Sequence, residues 1–249
     1  MTDGVLPAPD RIKHFTGELI AYVRSLYPVR FYAGEAWANL YTAAALLRLT
    51  DMAEAVLVHM PDRRDLDAAA ALRSMYELVV TVCWVLAAPE QRKPLWEGEA
   101  LIQQLKLHDD LATFGETLLS DQEVEKSRNA RGMPPLADRA RQADEHWSGR
   151  VEGLHPGDHL LSFRGLYIAV YRLGSQPTHG SIASLLPYIE QHPRRFKVRA
   201  RPPDPSVVTY ALVSPLLAIA LVVAATRLRA VDADRVRAIN DAASARGGI

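Results

Sequence analysis

The chain has 249 residues, 49% of them hydrophobic, which is ample for one sizeable core. Its 29 basic residues balance 29 acidic ones, which excludes a protein held to nucleic acid by overall charge; any such contact has to be local. A single cysteine, Cys83, excludes an internal disulfide and fits a reducing cytoplasm, and the opening MTDGVLPAPD lacks the basic-then-apolar pattern of a secretion signal.

Helical spacing dominates the chain. After the loop LPAP a first helix is predicted over Asp10–Leu26, stopped near Pro28, and a second over Phe31–His59, ending at Pro61. The third starts after Asp62, carries AAAALRSMYELVVTVCWVLAA and ends at Ala88, before Pro89. The fourth opens near Pro94, a residue suited to a first helical turn, and runs towards Leu119 with Leu101, Leu105 and Leu111 along its apolar stripe. From 120 to 157 the chain turns polar and is broken by GMPP and LHPG, so a helix–loop–helix excursion over the surface is expected. Asp158 is placed to cap a further helix through LLSFRGLYIAVYRLGS, reaching Pro177, and a short helix is predicted from Ile182 to about Gln191. RRFKVRARPPDP is the one stretch with a period of two, predicting an extended basic segment at about 194–203. Asp204 and Pro205 then open an apolar helix, and a polar helix runs from Asp232 to RGGI.

The segment Val207–Ala225 is uncharged and long enough to cross a bilayer. Pro215 and the polar Thr209, Tyr210 and Ser214 interrupt it, and basic residues flank both ends. It reads as the central helix of a bundle, with no membrane partner. The expected architecture is therefore all-α, a single helical domain over 1–249 with one polar surface excursion.

Two charges sit in the most apolar helix. Arg73 and Glu77 are four residues apart and share a helix face. A charge buried without a partner costs several kcal/mol, so this face is expected to meet other polar side chains, either as a salt-bridge network that fixes helix register or as a site. The best candidates to meet it lie in LYIAVYRLGSQPTHGS, where Arg172, Ser175 and His179 crowd around the break at Pro177. A histidine near a carboxylate is suited to moving protons at neutral pH, and an arginine to holding an anion. Glu77, Arg172 and His179 thus form a candidate acid–base site, with Arg73, Ser175 and Tyr171 in support; a histidine capping a broken helix end is the structural alternative.

ALRSMYELVVTVCWVL, joined far downstream by YRLGSQPTHGS, resembles the paired signature of a bacterial family of helical proteins of unknown function: Arg-x-x-x-Glu, then Tyr-Arg-x-x-Ser ending in His. Those positions are Arg73, Glu77, Tyr171, Arg172, Ser175 and His179. The spacing of Arg172 and His179 is also similar to that of the HEPN helical superfamily, many of whose members are metal-independent ribonucleases of toxin or defence systems. That resemblance implies His179 acting on an RNA 2′-hydroxyl, Arg172 on the phosphate, no cofactor, and a homodimer in which each protomer supplies one motif; such a role also implies an antitoxin or other protein partner. Leu173 and Pro177 depart from the usual pattern. Arg139 to His146, Arg141 to His146 and Arg150 to His155 share the spacing but fall in the polar excursion.

Other constellations are weaker. Arg195, Lys197, Arg199 and Arg201 would line one edge of the extended segment and could track a phosphate backbone, or merely form a solvated connection. His155, Asp158 and His159 sit in a Pro/Gly loop with no second cluster, so no metal is expected. His108, near the apolar stripe of the fourth helix, reads as a core histidine satisfied by a neighbour, and Cys83 as an inert core thiol. The leading expectation is an endoribonuclease; the rivals are a non-catalytic scaffold or binding protein, and a small-molecule enzyme using Glu77 and His179 around an aromatic pocket near Trp84, Trp37 or Tyr76.

Overall fold

The apolar stretch that carries Arg73 and Glu77 is the hub of the molecule. A computed structural model describes residues 9–28, 37–59, 65–151, 162–172, 189–192, 195–198 and 210–245. The hub is α3 (Asp65–Ala87), with Leu72, Met75, Val79, Val80 and Cys83 all buried. Around it pack α2 (Trp37–His59), α4 (Pro89–Ala112), α6 (Leu136–Val151) and α8 (Val213–Ala225). Helices α1 (Pro9–Ser25) and α9 (Ala233–Ala245) close the far side against α8. The fold is all-α, and the described helices other than the surface helix Asp121–Arg128 contribute to one hydrophobic core.

Buried polar groups on these helices are satisfied locally. Thr42, Thr50 and Thr81 each donate to the carbonyl four residues back, at 2.6, 2.8 and 2.7 Å, which lets a hydroxyl sit in an apolar layer. Nearly all of α8 is buried, and Pro215 falls in its first turn, where the missing N–H would have no helical partner anyway. Thr16 of α1 meets Ser214 of α8 across 2.6 Å. Asp232 starts α9, as its sequence predicts, its carboxylate accepting from the N–H groups of Asp234 and Arg235. Among the described residues one helical stretch, Asp67–Ala87, is long and apolar enough to cross a bilayer by length and composition, and 61% of its most apolar window is buried inside the protein.

In several places the structure departs from the expected elements. Helix α4 opens at Pro89, directly after the end of α3, and Pro94 lies inside it. It stops at Ala112, before Leu119, because Gly115 takes a positive φ of 79° and lets Gly115 and Glu116 bond back to Ala112 and Leu111, a Schellman ending. Among the described residues the polar excursion lies on the surface through α5 (Asp121–Arg128), a helix begun by a capping box of Ser120 and Glu123. Helix α6 instead packs on α3, burying Leu136, Ala140, Ala143 and Trp147 on a stripe of helical period.

The helix after the excursion, α7 (Phe163–Leu166), is capped by Ser162, with Asp158 outside the described residues, and it continues as a π-helical turn over Tyr167–Arg172. Residues 189–191, expected at the end of a helix, are extended: β1 (Ile189–His192) pairs antiparallel with β2 (Arg195–Val198). A lone strand at 195–198 would leave its N–H and C=O groups without a ladder, and the preceding segment supplies one. The remainder of the predicted 182–191 helix lies outside the described residues.

Candidate functional site

One face of α3, built from Arg73, Glu77 and Thr81 at successive helical turns, meets two elements that carry polar groups. The first is the π turn. Tyr76, fully buried, donates its hydroxyl to the Phe163 carbonyl at 2.6 Å, which fixes the start of α7 on α3. The N-terminus of α7 is further held by Asp144 of α6, whose carboxylate accepts from the N–H groups of Phe163 and Arg164 at 2.6 and 3.0 Å. Burial pushes the Asp144 carboxyl up, against the opposing pull of those two N–H groups. So anchored, the turn delivers Tyr171 to Arg73. The guanidinium donates to the Tyr171 hydroxyl at 3.2 Å and lies over its ring, 4.5 Å from the centroid. Tyr167 stacks on Tyr171 with centroids 5.3 Å apart.

The second element is α6, which contributes Arg139. Its side chain is only 7% exposed, while the Glu77 carboxylate facing it at 3.8 Å is 47% exposed. The buried ion of this region is therefore the arginine of α6, and Glu77 is a half-open carboxylate at its edge. Arg139 donates to Thr81, and its Nε to the Pro134 carbonyl at 3.1 Å, with the Met133 sulfur at 3.8 Å. Burial pulls its pKa down, and Glu77 and Glu99 pull the other way; a guanidinium stays charged throughout.

Close helix packing holds these acceptors in place. A Cβ on Gly98 of α4 would come within 2.1 Å of the Arg131 carbonyl oxygen, so only glycine lets α4 lie this near the α5–α6 connection. Next to it Glu99 accepts the Met133 N–H at 3.1 Å. A second polar knot ties the same helices: the Trp84 indole donates to Gln142 at 2.7 Å, and Arg92 donates to both Gln142 and the Trp84 carbonyl while lying over the Trp84 ring.

Of the residues singled out in sequence, Arg73 and Tyr171 touch, and Glu77 shares the α3 face of Arg73 but is paired with Arg139. Arg172 is the last residue of the π turn. Ser175, His179, Arg199 and Arg201 lie outside the described residues, as do His155, Asp158 and His159. Arg195 and Lys197 are on β2, in register with His192 and Glu190 of β1, so an acidic position faces the basic segment at Lys197. Among the described residues no three His, Cys, Asp or Glu side chains gather as a metal site.

The aromatic pocket also takes a different form from that expected. Tyr76 and Trp84 are core residues with satisfied polar atoms, whereas Trp37, Tyr41 and Trp96 line a narrow apolar cleft between α2, α3 and α4. Val82, Val85 and Leu86 form its floor; on α3 they lie roughly 80–180° around the helix from Glu77. Cys83 is buried, its thiol pushed up by desolvation, and the Trp147 indole donates to its carbonyl at 2.8 Å. His108 is no core residue: its Nδ1 accepts from the N–H groups of Leu118 and Leu119 at 3.2 and 3.1 Å, folding the segment after α4 back onto the helix.

Fold and site together define an all-α protein in which a π turn is fastened by tyrosine and arginine to a charged face of the central helix. Residues 39–196 match the family of unknown function DUF5677, and the chain belongs to that family. The matched span covers α2 to α6, the π turn and most of the hairpin. No curated protein and no solved structure matches the chain.

Proposed function

We propose that the chain is a cytoplasmic, HEPN-like, metal-independent endoribonuclease, of the kind found in bacterial toxin or defence systems, acting as a homodimer. In this reading His179 takes the proton from a ribose 2′-hydroxyl, whose oxygen attacks the adjacent phosphorus. The P–O5′ bond breaks, the 5′-oxygen leaves and is protonated, and a 2′,3′-cyclic phosphate remains. Arg172 balances the charge that builds on the phosphate oxygens. Arg73 and Tyr171 act as positioning residues, with Glu77 and Ser175 beside them. Arg195, Lys197, Arg199 and Arg201 offer phosphate contacts along the strand.

The observation that carries the reading is the π turn. Single π turns cluster at functional sites, because the extra residue rotates the side chains after it onto a new face. This one ends at Arg172, one residue beyond the tyrosine fastened to Arg73. The test is degradation of a mixed RNA panel in EDTA by the wild type, His179→Ala and Arg172→Ala. Loss of at least a hundredfold in both variants is expected, on the usual scale of acid–base and anion-holding groups. Equal activity in all three, or none in any, refutes the reading.

A non-catalytic scaffold is the second reading, and Arg139 favours it. A buried arginine satisfied by a hydroxyl and a backbone carbonyl specifies how α3, α6 and the α5–α6 connection fit, with no chemistry required. Unchanged cellular function of His179→Ala would select it.

A further inference from the structure

Helix α2 is apolar on both sides. Its inner side, with Ala38, Leu46, Leu49, Ala53 and Val56, is buried in the core. Its outer side carries Leu40 at 55% exposure, Leu47 at 37% and Val58 at 66%, with the exposed Ala44 and Ala55 between them. Positions 40, 44, 47, 51, 55 and 58 repeat at three- and four-residue steps, which is the spacing of a helix-to-helix seam. A solvent-facing stripe of this kind on a helix whose other side already fills the core has no role in the fold itself.

The charges on and beside the stripe are self-complementary. Arg48 is exposed and makes no ion pair among the described residues; Asp51, one turn on, is exposed and only loosely paired, 3.8 Å from Arg24. Arg24 has its close partner in Glu54 at 2.7 Å. When two copies of α2 run antiparallel with the two-fold axis between residues 49 and 50, Arg48 of each copy faces Asp51 of the other. The same register sets Ala44 against Ala55, so the backbones approach closely on either side of the axis, and brings Tyr41 against Val58. A single choice of register thus satisfies the two charges, the two small residues and the apolar end.

We propose that the outer face of α2 is a homodimer interface with a second copy of this chain, antiparallel across a two-fold axis, its register set by Arg48 and Asp51. This dimer does not rest on the proposed activity, because no residue of the seam belongs to the π turn or to the Arg172–His179 segment. Helix α2 has 23 residues and so spans about 34 Å; a seam about 10 Å wide buries on the order of 350 Å² per copy. That is below the roughly 800 Å² of a standard stable interface, so the association is weak, with Kd in the micromolar range or above.

Sedimentation velocity of the full chain over about 1–200 µM reads the dimer directly. A concentration-dependent dimer is expected, which Arg48→Asp and Asp51→Arg each weaken at least tenfold by placing like charges across the axis. The double variant Arg48→Asp/Asp51→Arg restores the wild-type Kd to within about threefold, since the pair is only exchanged. Far-UV circular dichroism confirms that each variant folds. A chain monomeric throughout that range, a dimer indifferent to both single changes, or a double variant no better than the singles overturns the proposal.

Discussion

Arg139 offers the sharpest test of how the polar face of α3 is held. Arg139→Ala removes a donor to the Pro134 carbonyl and to Thr81 and empties the space of a long stem that is only 7% exposed. Hydrogen bonds from a charged group contribute roughly 1.5–3 kcal/mol each when their loss leaves a buried acceptor unmet. Thr81 keeps its own bond to the Glu77 carbonyl, so only Pro134 is stranded. With the cavity added, the expected loss is about 2–4 kcal/mol. Arg139→Met refills the volume but still strands the Pro134 carbonyl, so it should cost about 1.5–3 kcal/mol, less than Arg139→Ala by the cavity alone. Glu77→Ala should also cost no more than about 1 kcal/mol, because an ion pair at 3.8 Å with one partner half in water is heavily screened. Urea unfolding, with midpoint and slope fitted for each variant, measures all three. A Glu77→Ala loss as large as that of Arg139→Ala, or a coupling between them above about 2 kcal/mol, would show that the ion pair rather than the backbone acceptor anchors Arg139, and the reasoning would fail.

Gly98→Ala should destabilise by roughly 1–3 kcal/mol in the same unfolding assay, because its Cβ meets a backbone carbonyl that cannot swing away; a neutral result would mean that α4 sits farther from residue 131. Asp144→Ala should cost about 0.5–2 kcal/mol and raise hydrogen exchange in α7 at Gly165 and Leu166 well before the rest of the core responds. For α5 the dependence is on pH. Hydrogen bonds from Ser120 hold the Glu123 carboxyl below its ordinary 4.5. The capping box therefore contributes fully above that value and is lost as pH falls through the lower, folded one. Amide protection in α5 should drop on acidification below about 4.5, and Glu123→Gln should flatten that drop.

Much of the scaffold was legible from pattern alone. Helices α1, α3 and α9 begin and end within a few residues of where Pro, Asp and the apolar period put them. Reading α4 from Pro94 failed because Pro89 already supplied a first-turn proline and the better stop for α3. The larger miss was α6. Its mean polarity hid a stripe of Leu136, Ala140, Ala143 and Trp147, and that stripe, one face of LADRARQADEHW, was readable. Arg139 lies on that stripe, so packing buries the charge of the region on α6, although the apolar composition around Arg73 and Glu77 points to α3. That Tyr171 would meet Arg73 through both its hydroxyl and its ring was not readable. The π turn inserts an extra residue and breaks the helical spacing from which facing residues are inferred.

The central claim is that the residues beyond this turn cleave RNA by 2′-hydroxyl attack. It is tested most directly by the chemistry of the cut ends in EDTA. A 5′-labelled oligoribonucleotide should yield fragments ending in 2′,3′-cyclic phosphate with 5′-hydroxyl partners, and a single 2′-deoxy substitution at the cut position should abolish that cut. Fragments with 3′-hydroxyl and 5′-phosphate ends, or continued cutting at the deoxy position, would contradict it.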